Sequence, residues 1–68
     1  MTREEIDNAV DRIRRNVRYA GEFEDLGNGR LSQYYLGAAV GISDFLAANG
    51  YQTAACALDS AIIEWRKK

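Results

Sequence analysis

The sequence predicts an all-α fold, a three-helix bundle that forms a single domain over residues 1–68 and self-associates through its second helix. Apolar residues recur at helical spacing in three segments, and turn-forming glycines separate these segments. The chain has 68 residues, one cysteine and no histidine. A chain this short usually needs a disulfide, a metal or a second copy of itself, and this composition leaves the second copy.

The first helix is predicted over about residues 3–20. Thr2 and Glu5 have the spacing of a capping box, in which each side chain accepts a hydrogen bond from the backbone N–H of the other residue. Gly21 is expected to end the helix. The apolar stripe that should face the bundle comprises Ile6, Val10, Ile13, Val17 and Ala20.

Residues 21–30 form the connection to the second helix. The run Gly27-Asn28-Gly29 is typical of a turn whose residues have positive φ angles. We expect Phe23 and Leu26, the apolar residues of this segment, to fold back over the end of the bundle.

The second helix is predicted over about residues 32–49 and ends at Asn49-Gly50, because both residues tolerate the left-handed conformation. Its apolar residues cover roughly two-thirds of the helix circumference, which is more than one neighbouring helix can bury. Gly37 and Gly41, one helical turn apart, leave a shallow groove that another backbone can approach closely. We therefore expect this helix to have partners on several sides.

The third helix is predicted over about residues 53–66. Its inward stripe comprises Ala54, Leu58, Ala61, Ile62 and Trp65. Cys56 and Ile63 share a second face, which suggests that this helix also contributes to an intersubunit surface. The predicted interface consists of Tyr34, Gly37, Gly41, Phe45, Cys56 and Ile63.

The first part of the second helix carries a sequence motif made of Leu31-Ser32-Gln33, Leu36, Gly37, Val40 and Gly41-Ile42-Ser43. This motif resembles the helix-turn-helix of phage repressors and Cro-type regulators. The resemblance implies a turn at Gly41 and a recognition helix that opens at Ser43 and lies in the major groove of DNA. Residues 44–50 contain no Lys or Arg, although cations usually contact phosphates. Because of this departure from the motif, a DNA-binding regulator is only the alternative interpretation. Its DNA contacts would be Arg14, Arg18 and Asn49.

A second set of residues, Tyr51, Ala54, Ala61 and Ile62, has the spacing found in the second helix of a tetratricopeptide-like helical hairpin, which it resembles. This resemblance implies that residues 35–66 form an antiparallel pair of helices, with Gly41 inside a continuous helix. We favour the continuous helix, because a turn at Gly41 would leave two short segments that each bury little surface.

Several function classes are not expected from this composition. The commonest general base is missing, and Cys56 has no imidazole to activate it. We therefore expect no enzymatic activity, no cofactor and no metal. The net charge of −1 gives no overall field that would attract nucleic acid. The acidic start and the absence of a long apolar run predict a cytoplasmic protein with no membrane partner.

The remaining class is a small protein-interaction module, namely an adaptor, regulator or inhibitor that acts as a homo-oligomer. Its expected partners are a second copy of the chain and another protein. A small-molecule site enclosed between the helices of an oligomer remains a third possibility.

Overall fold

The computed structural model describes residues 1–67, which form the predicted all-α three-helix bundle and contain no strand. Helix α1 spans Arg3–Asp25, α2 spans Gly29–Ala48, α3 spans Gln52–Ala55 and α4 spans Ala57–Arg66. Helices α3 and α4 are two segments of the predicted third helix. The bundle measures 37 × 21 × 17 Å, and its long axis matches the length of α1.

The predicted capping box at the start of α1 is confirmed. The Glu5 N–H donates to Thr2 Oγ1 at 3.1 Å, and the Thr2 N–H donates to Glu5 Oε1 at 2.9 Å. The hydrogen bond from the Thr2 backbone, followed by the one with its side chain, lowers the pKa of the Glu5 carboxyl below its ordinary value. The start of the helix is therefore fixed by two reciprocal hydrogen bonds.

The prediction that Gly21 ends α1 is wrong. The helix continues through Gly21 to Asp25, and Gly21 is buried. A Cβ atom at Gly21 would lie 2.6 Å from Trp65 Nε1 in α4. The absence of a side chain here allows α4 to approach the backbone of α1, which is a different use of glycine from a helix stop.

Helix α1 ends instead in a Schellman motif around Gly27, whose φ is 77°. The Gly27 N–H donates to the Glu24 carbonyl at 2.9 Å, and the Asn28 N–H donates to the Phe23 carbonyl at 2.8 Å. Only Gly27 in the predicted turn has a positive φ, so the prediction for its neighbours is wrong. Asn28 has a φ of −100°, and Gly29 is already the first residue of α2.

Helix α2 begins at Gly29 rather than at residue 32 because Asn28 caps it, with Oδ1 accepting from the Leu31 N–H at 3.2 Å. From there the helix is continuous to Ala48. Gly41 lies inside it, so the turn that the helix-turn-helix resemblance implies is not formed.

The predicted stop at Asn49-Gly50 is confirmed. Gly50 has a φ of 86°, its N–H donates to the Ala47 carbonyl at 3.0 Å, and the Tyr51 N–H donates to the Leu46 carbonyl at 2.9 Å. This second Schellman motif turns the chain directly into α3.

The third helix starts at Gln52, one residue before the predicted start at Thr53, and it is interrupted at Cys56. The carbonyl of the preceding residue, Ala55, accepts a hydrogen bond from Ser43 Oγ of α2 at 3.0 Å. A side chain that bonds into the backbone ladder is a known cause of helix distortion, and this hydroxyl reaches the chain where the break occurs.

The core lies between α1 and α2, which run antiparallel, and α3 and α4 close it. The start of α1 lies beside the end of α2, where the Met1 amine donates to the Tyr51 hydroxyl at 3.1 Å. The predicted stripes of α1 and of the third helix face this core except for Ile6, which is half-buried and lines a groove between α1 and α3. Val10 packs against the core but is also only half-buried. The buried apolar residues are Ile13, Val17, Ala20, Ala39, Leu46 and Ala57.

Two serines of α2, Ser32 and Ser43, point toward the rest of the bundle and are buried. Ser32 Oγ donates to the Ala20 carbonyl of α1 at 2.8 Å, and Ser43 Oγ donates to the Ala55 carbonyl of α3 at 3.0 Å. They lie about three helical turns apart on one side of α2. These two bonds mark the inward side of α2, which also carries the fully buried Ala39 and Leu46.

Candidate protein-interaction surface

The side of α2 that faces away from the buried serines is apolar. On a helical wheel it carries residues that follow one another at alternating intervals of three and four, the spacing of a surface that packs along another helix. We call this strip the α2 seam. It comprises Leu31, Tyr34, Ala38, Gly41, Phe45 and Ala48.

The two aromatic residues of the α2 seam are largely exposed. Tyr34 is 68% exposed and Phe45 is 56% exposed, and Leu31 at the start of the seam is 36% exposed. Burying a large apolar side chain is worth about 1.5–3 kcal/mol. Burial of these side chains against a partner would therefore add favourable hydrophobic free energy that the single chain does not gain.

Tyr34 is held in place by an aromatic cluster at the α1–α2 turn. Its ring meets the Tyr35 ring edge-on, with centroids 5.2 Å apart. Tyr35 in turn contacts Tyr19 edge-on and stacks on Phe23, each at 5.5 Å. Phe23 thus folds back as predicted, whereas the same prediction for Leu26 is wrong, since Leu26 is 78% exposed. The Tyr34 ring is thus supported on its inner side by Tyr35 and remains exposed on its outer side.

Gly37 and Gly41, the two predicted interface glycines, are exposed, and a Cβ at either position would meet no atom within 4 Å. Nothing inside this chain therefore requires glycine at these positions. Glycine in a helix interior is destabilising by roughly 0.5–1 kcal/mol relative to alanine. An approaching backbone from outside the chain would give these glycines a role.

A groove of about 500 Å³ runs between the first half of α1 and the second half of α2. Ala38 and Gly41 of the α2 seam line it on one side, and the polar side chains of Glu5, Asn8 and Arg12 line it on the other. The seam is thus bordered by a recess with hydrogen-bonding groups along its α1 edge.

The other two predicted interface residues lie on the third helix. Cys56 is an exposed free thiol and lines a groove of about 870 Å³ between α1 and α3. Ile63 is 55% exposed on α4. Neither residue lines the groove beside the α2 seam. The structure therefore brings Tyr34, Gly41 and Phe45 onto one strip, with Gly37 beside it, and leaves Cys56 and Ile63 on separate elements.

The residues named for DNA contact lie on different elements. Arg14 and Arg18 line a groove between α1 and α4 together with Glu64, so this groove carries charges of both signs. Asn49 follows the last residue of α2, and its Nδ2 donates to the Phe45 carbonyl at 2.7 Å. The Asn49 amide is thus engaged within its own helix.

Leu31, Ala38 and Ala48 belong to the α2 seam but were missed by sequence reasoning. The alternation of three and four residues was present in the sequence and could have revealed them. Because α2 is apolar over most of its circumference, this alternation does not stand out in the sequence. The seam can be identified only once the two buried serines show which side of α2 faces inward.

Among residues 1–67, no three His, Cys, Asp or Glu side chains are placed to hold a metal ion together. Within the same part of the chain, no helix combines the length and apolar character needed to cross a membrane.

Comparison with known proteins gives no relative: no protein-family model, curated protein or solved structure matches this chain.

Proposed function

We propose that this protein is a small non-enzymatic interaction module, an adaptor, regulator or inhibitor, that acts as a homo-oligomer in the cytoplasm and binds a further protein. The observation that carries the proposal is the α2 seam, where Tyr34 and Phe45 lie on the outside of a helix whose inward side holds two serines. Aromatic residues that anchor in a partner dominate the energetics of many protein interfaces.

The total surface of the chain supports the same proposal. The accessible surface is 4904 Å². A folded monomer of 7.6 kDa is expected to expose about 4,300 Å². The chain therefore exposes about 600 Å² more than a compact monomer of its mass, as expected of an elongated bundle with one uncovered side.

The DNA-binding alternative is less well supported. Its recognition helix would have to open at Ser43, but α2 continues through that residue. We expect the protein to show no salt-dependent retention on duplex DNA, since such retention reflects cationic side chains that neutralise phosphates.

The proposal is tested by measuring the mass of the full chain in solution by sedimentation velocity over a wide range of concentration. We expect a species heavier than one chain, and we expect Phe45→Ala to weaken its association by about tenfold or more because a buried aromatic anchor is lost. Leu26→Ala is the matched control, since Leu26 is also exposed but lies outside the α2 seam. A monomer at all concentrations, or equal effects of the two variants, would contradict the proposal.

A further inference from the structure

We propose that the occupant of the α2 seam is the α2 seam of a second copy, packed antiparallel about a two-fold axis that passes between Ala38 and Gly41. This inference rests on the proposed homo-oligomer and specifies its geometry. A two-fold interface uses the same patch on both chains, so the patch must be complementary to itself.

The residue order of the α2 seam has this self-complementarity in the antiparallel direction. In a heptad repeat, Leu31, Ala38 and Phe45 occupy the a positions, and Tyr34, Gly41 and Ala48 occupy the d positions. Antiparallel helices pair a with d. The paired layers are then Leu31 with the partner's Ala48, Tyr34 with the partner's Phe45, and Ala38 with the partner's Gly41.

These layers combine large and small side chains in a regular way. Ala38 and Gly41 at the centre allow the two backbones to approach closely. The pair formed by Tyr34 and the partner's Phe45 occurs once on each side of that centre, and aromatic pairs are favourable beyond the area that they bury. The leucine at each end meets an alanine. A parallel arrangement would place two glycines in one layer and two phenylalanines in another.

The charges of α2 also favour the antiparallel direction. The helix has only two charged residues, Arg30 near its start and Asp44 near its end. Both lie along the same edge of the α2 seam as Gly37, at equivalent heptad positions. Antiparallel packing places Arg30 about 7.5 Å along the axis from the partner's Asp44, within reach of an arginine side chain. Parallel in-register packing would leave Arg30 about 21 Å along the axis from the partner's Asp44, so the two opposite charges would not meet.

The groove between α1 and α2 gives the partner's Tyr34 a place to enter. In this arrangement its ring packs beside Gly41 and Phe45, at the border of the groove. The polar side chains of Glu5, Asn8 and Arg12 lie on the far edge, where they can hydrogen-bond to the phenol oxygen. An inserted tyrosine would therefore have its apolar ring covered and its hydroxyl satisfied.

The direction of packing is tested by disulfide cross-linking of the full chain in a Cys56→Ser background, which removes the native thiol. Leu31→Cys and Ala48→Cys chains are mixed and oxidised mildly, and the products are assigned by mass spectrometry. Antiparallel packing brings the two positions within the short Cα separation that a disulfide requires. We expect the mixed disulfide to form at least several times faster than either symmetric one.

A Gln33→Cys chain mixed with Ala48→Cys is the matched control, because Gln33 is exposed on α2 but lies outside the α2 seam. Circular dichroism of each variant verifies that it is folded. Sedimentation of the unmodified chain should give about 15 kDa, twice the 7.6 kDa of one chain. An oligomer that prefers the symmetric Leu31→Cys disulfide, or one with more than two chains, would overturn the antiparallel dimer but leave the proposed homo-oligomer intact. A monomer without cross-links would overturn both.

Discussion

Gly21 of α1 and Trp65 of α4 pack directly against each other, so that a Cβ atom at Gly21 would lie 2.6 Å from Nε1 and 2.9 Å from Cδ1 of the indole. Real Cβ atoms do not approach other atoms this closely. The last turn of α4 therefore reaches its position on α1 because residue 21 has no side chain, and the indole covers the buried glycine.

We expect Gly21→Ala to destabilise the protein by about 1–3 kcal/mol, because the added methyl group must displace the Trp65 ring. The effect opposes the gain of up to about 1 kcal/mol that alanine normally brings to a helix interior. Urea denaturation followed by circular dichroism measures the difference. Gly37→Ala, measured at a concentration where the chain is monomeric, is the matched control, since a Cβ there meets nothing of its own chain within 4 Å and should stabilise the helix. If both variants were stabilised, the contact would be less tight than described.

The two buried serines of α2 give a second prediction. Ser32→Ala and Ser43→Ala should each lower the free energy of unfolding by about 0.5–1.5 kcal/mol, because each removes a hydrogen bond to a carbonyl of another helix. Ser60→Ala, at an exposed position of α4, should change it by less than about 0.5 kcal/mol. Thermal and urea unfolding of the three variants provide the comparison, and equal stabilities would argue against the interhelical role of these hydroxyls.

The capping box predicts a specific response to acid. The hydrogen bonds from Thr2 lower the pKa of the Glu5 carboxyl in the folded state, so its ionised form binds protons less readily there than in the unfolded chain. The resulting stabilisation is present above the unfolded-state pKa, about 4.3, and is lost as pH falls through the lower folded-state value.

Glu5→Gln keeps an oxygen acceptor but has no charge to titrate. We therefore expect the melting temperature of the unmodified protein to fall more steeply on acidification than that of the variant. Melting curves between neutral pH and about pH 3 measure this difference. Parallel curves would mean that Glu5 does not contribute to the acid response.

The antiparallel dimer predicts rescue by charge exchange. Arg30→Asp or Asp44→Arg alone would place like charges together at both ends of the interface, and we expect each to weaken association by about 1 kcal/mol, or roughly fivefold, at low salt. The double variant restores opposite charges and should recover most of the loss. Within one chain these residues are about four turns apart and do not interact. Rescue that is absent, or that is unaffected by high salt, would contradict the pairing.

Much of the fold could be predicted from local signals. The Thr2 capping box and the Asn49-Gly50 stop involve residues close in sequence, and both are present. The sequence predicts a helix stop at Gly21 because helix stops and close helix contacts both favour glycine. Only the contact with Trp65, which is distant in sequence, shows that Gly21 serves the second role. The inward side of α2 was similarly hidden, because Ser32 and Ser43 look polar until their carbonyl partners on other helices are known.

The hydrogen bonds of the Ser32 and Ser43 hydroxyls hold one side of α2 against the rest of the bundle. Because both serines lie on one side and bond to different helices, the most exposed residues of the opposite side, Tyr34 and Phe45, contribute less to the packing of the bundle than the inward residues do. Side chains of the α2 seam can therefore be substituted with little change to the interior. The bundle is suited to acquire a different binding specificity through a few substitutions on this one surface, without a change of fold.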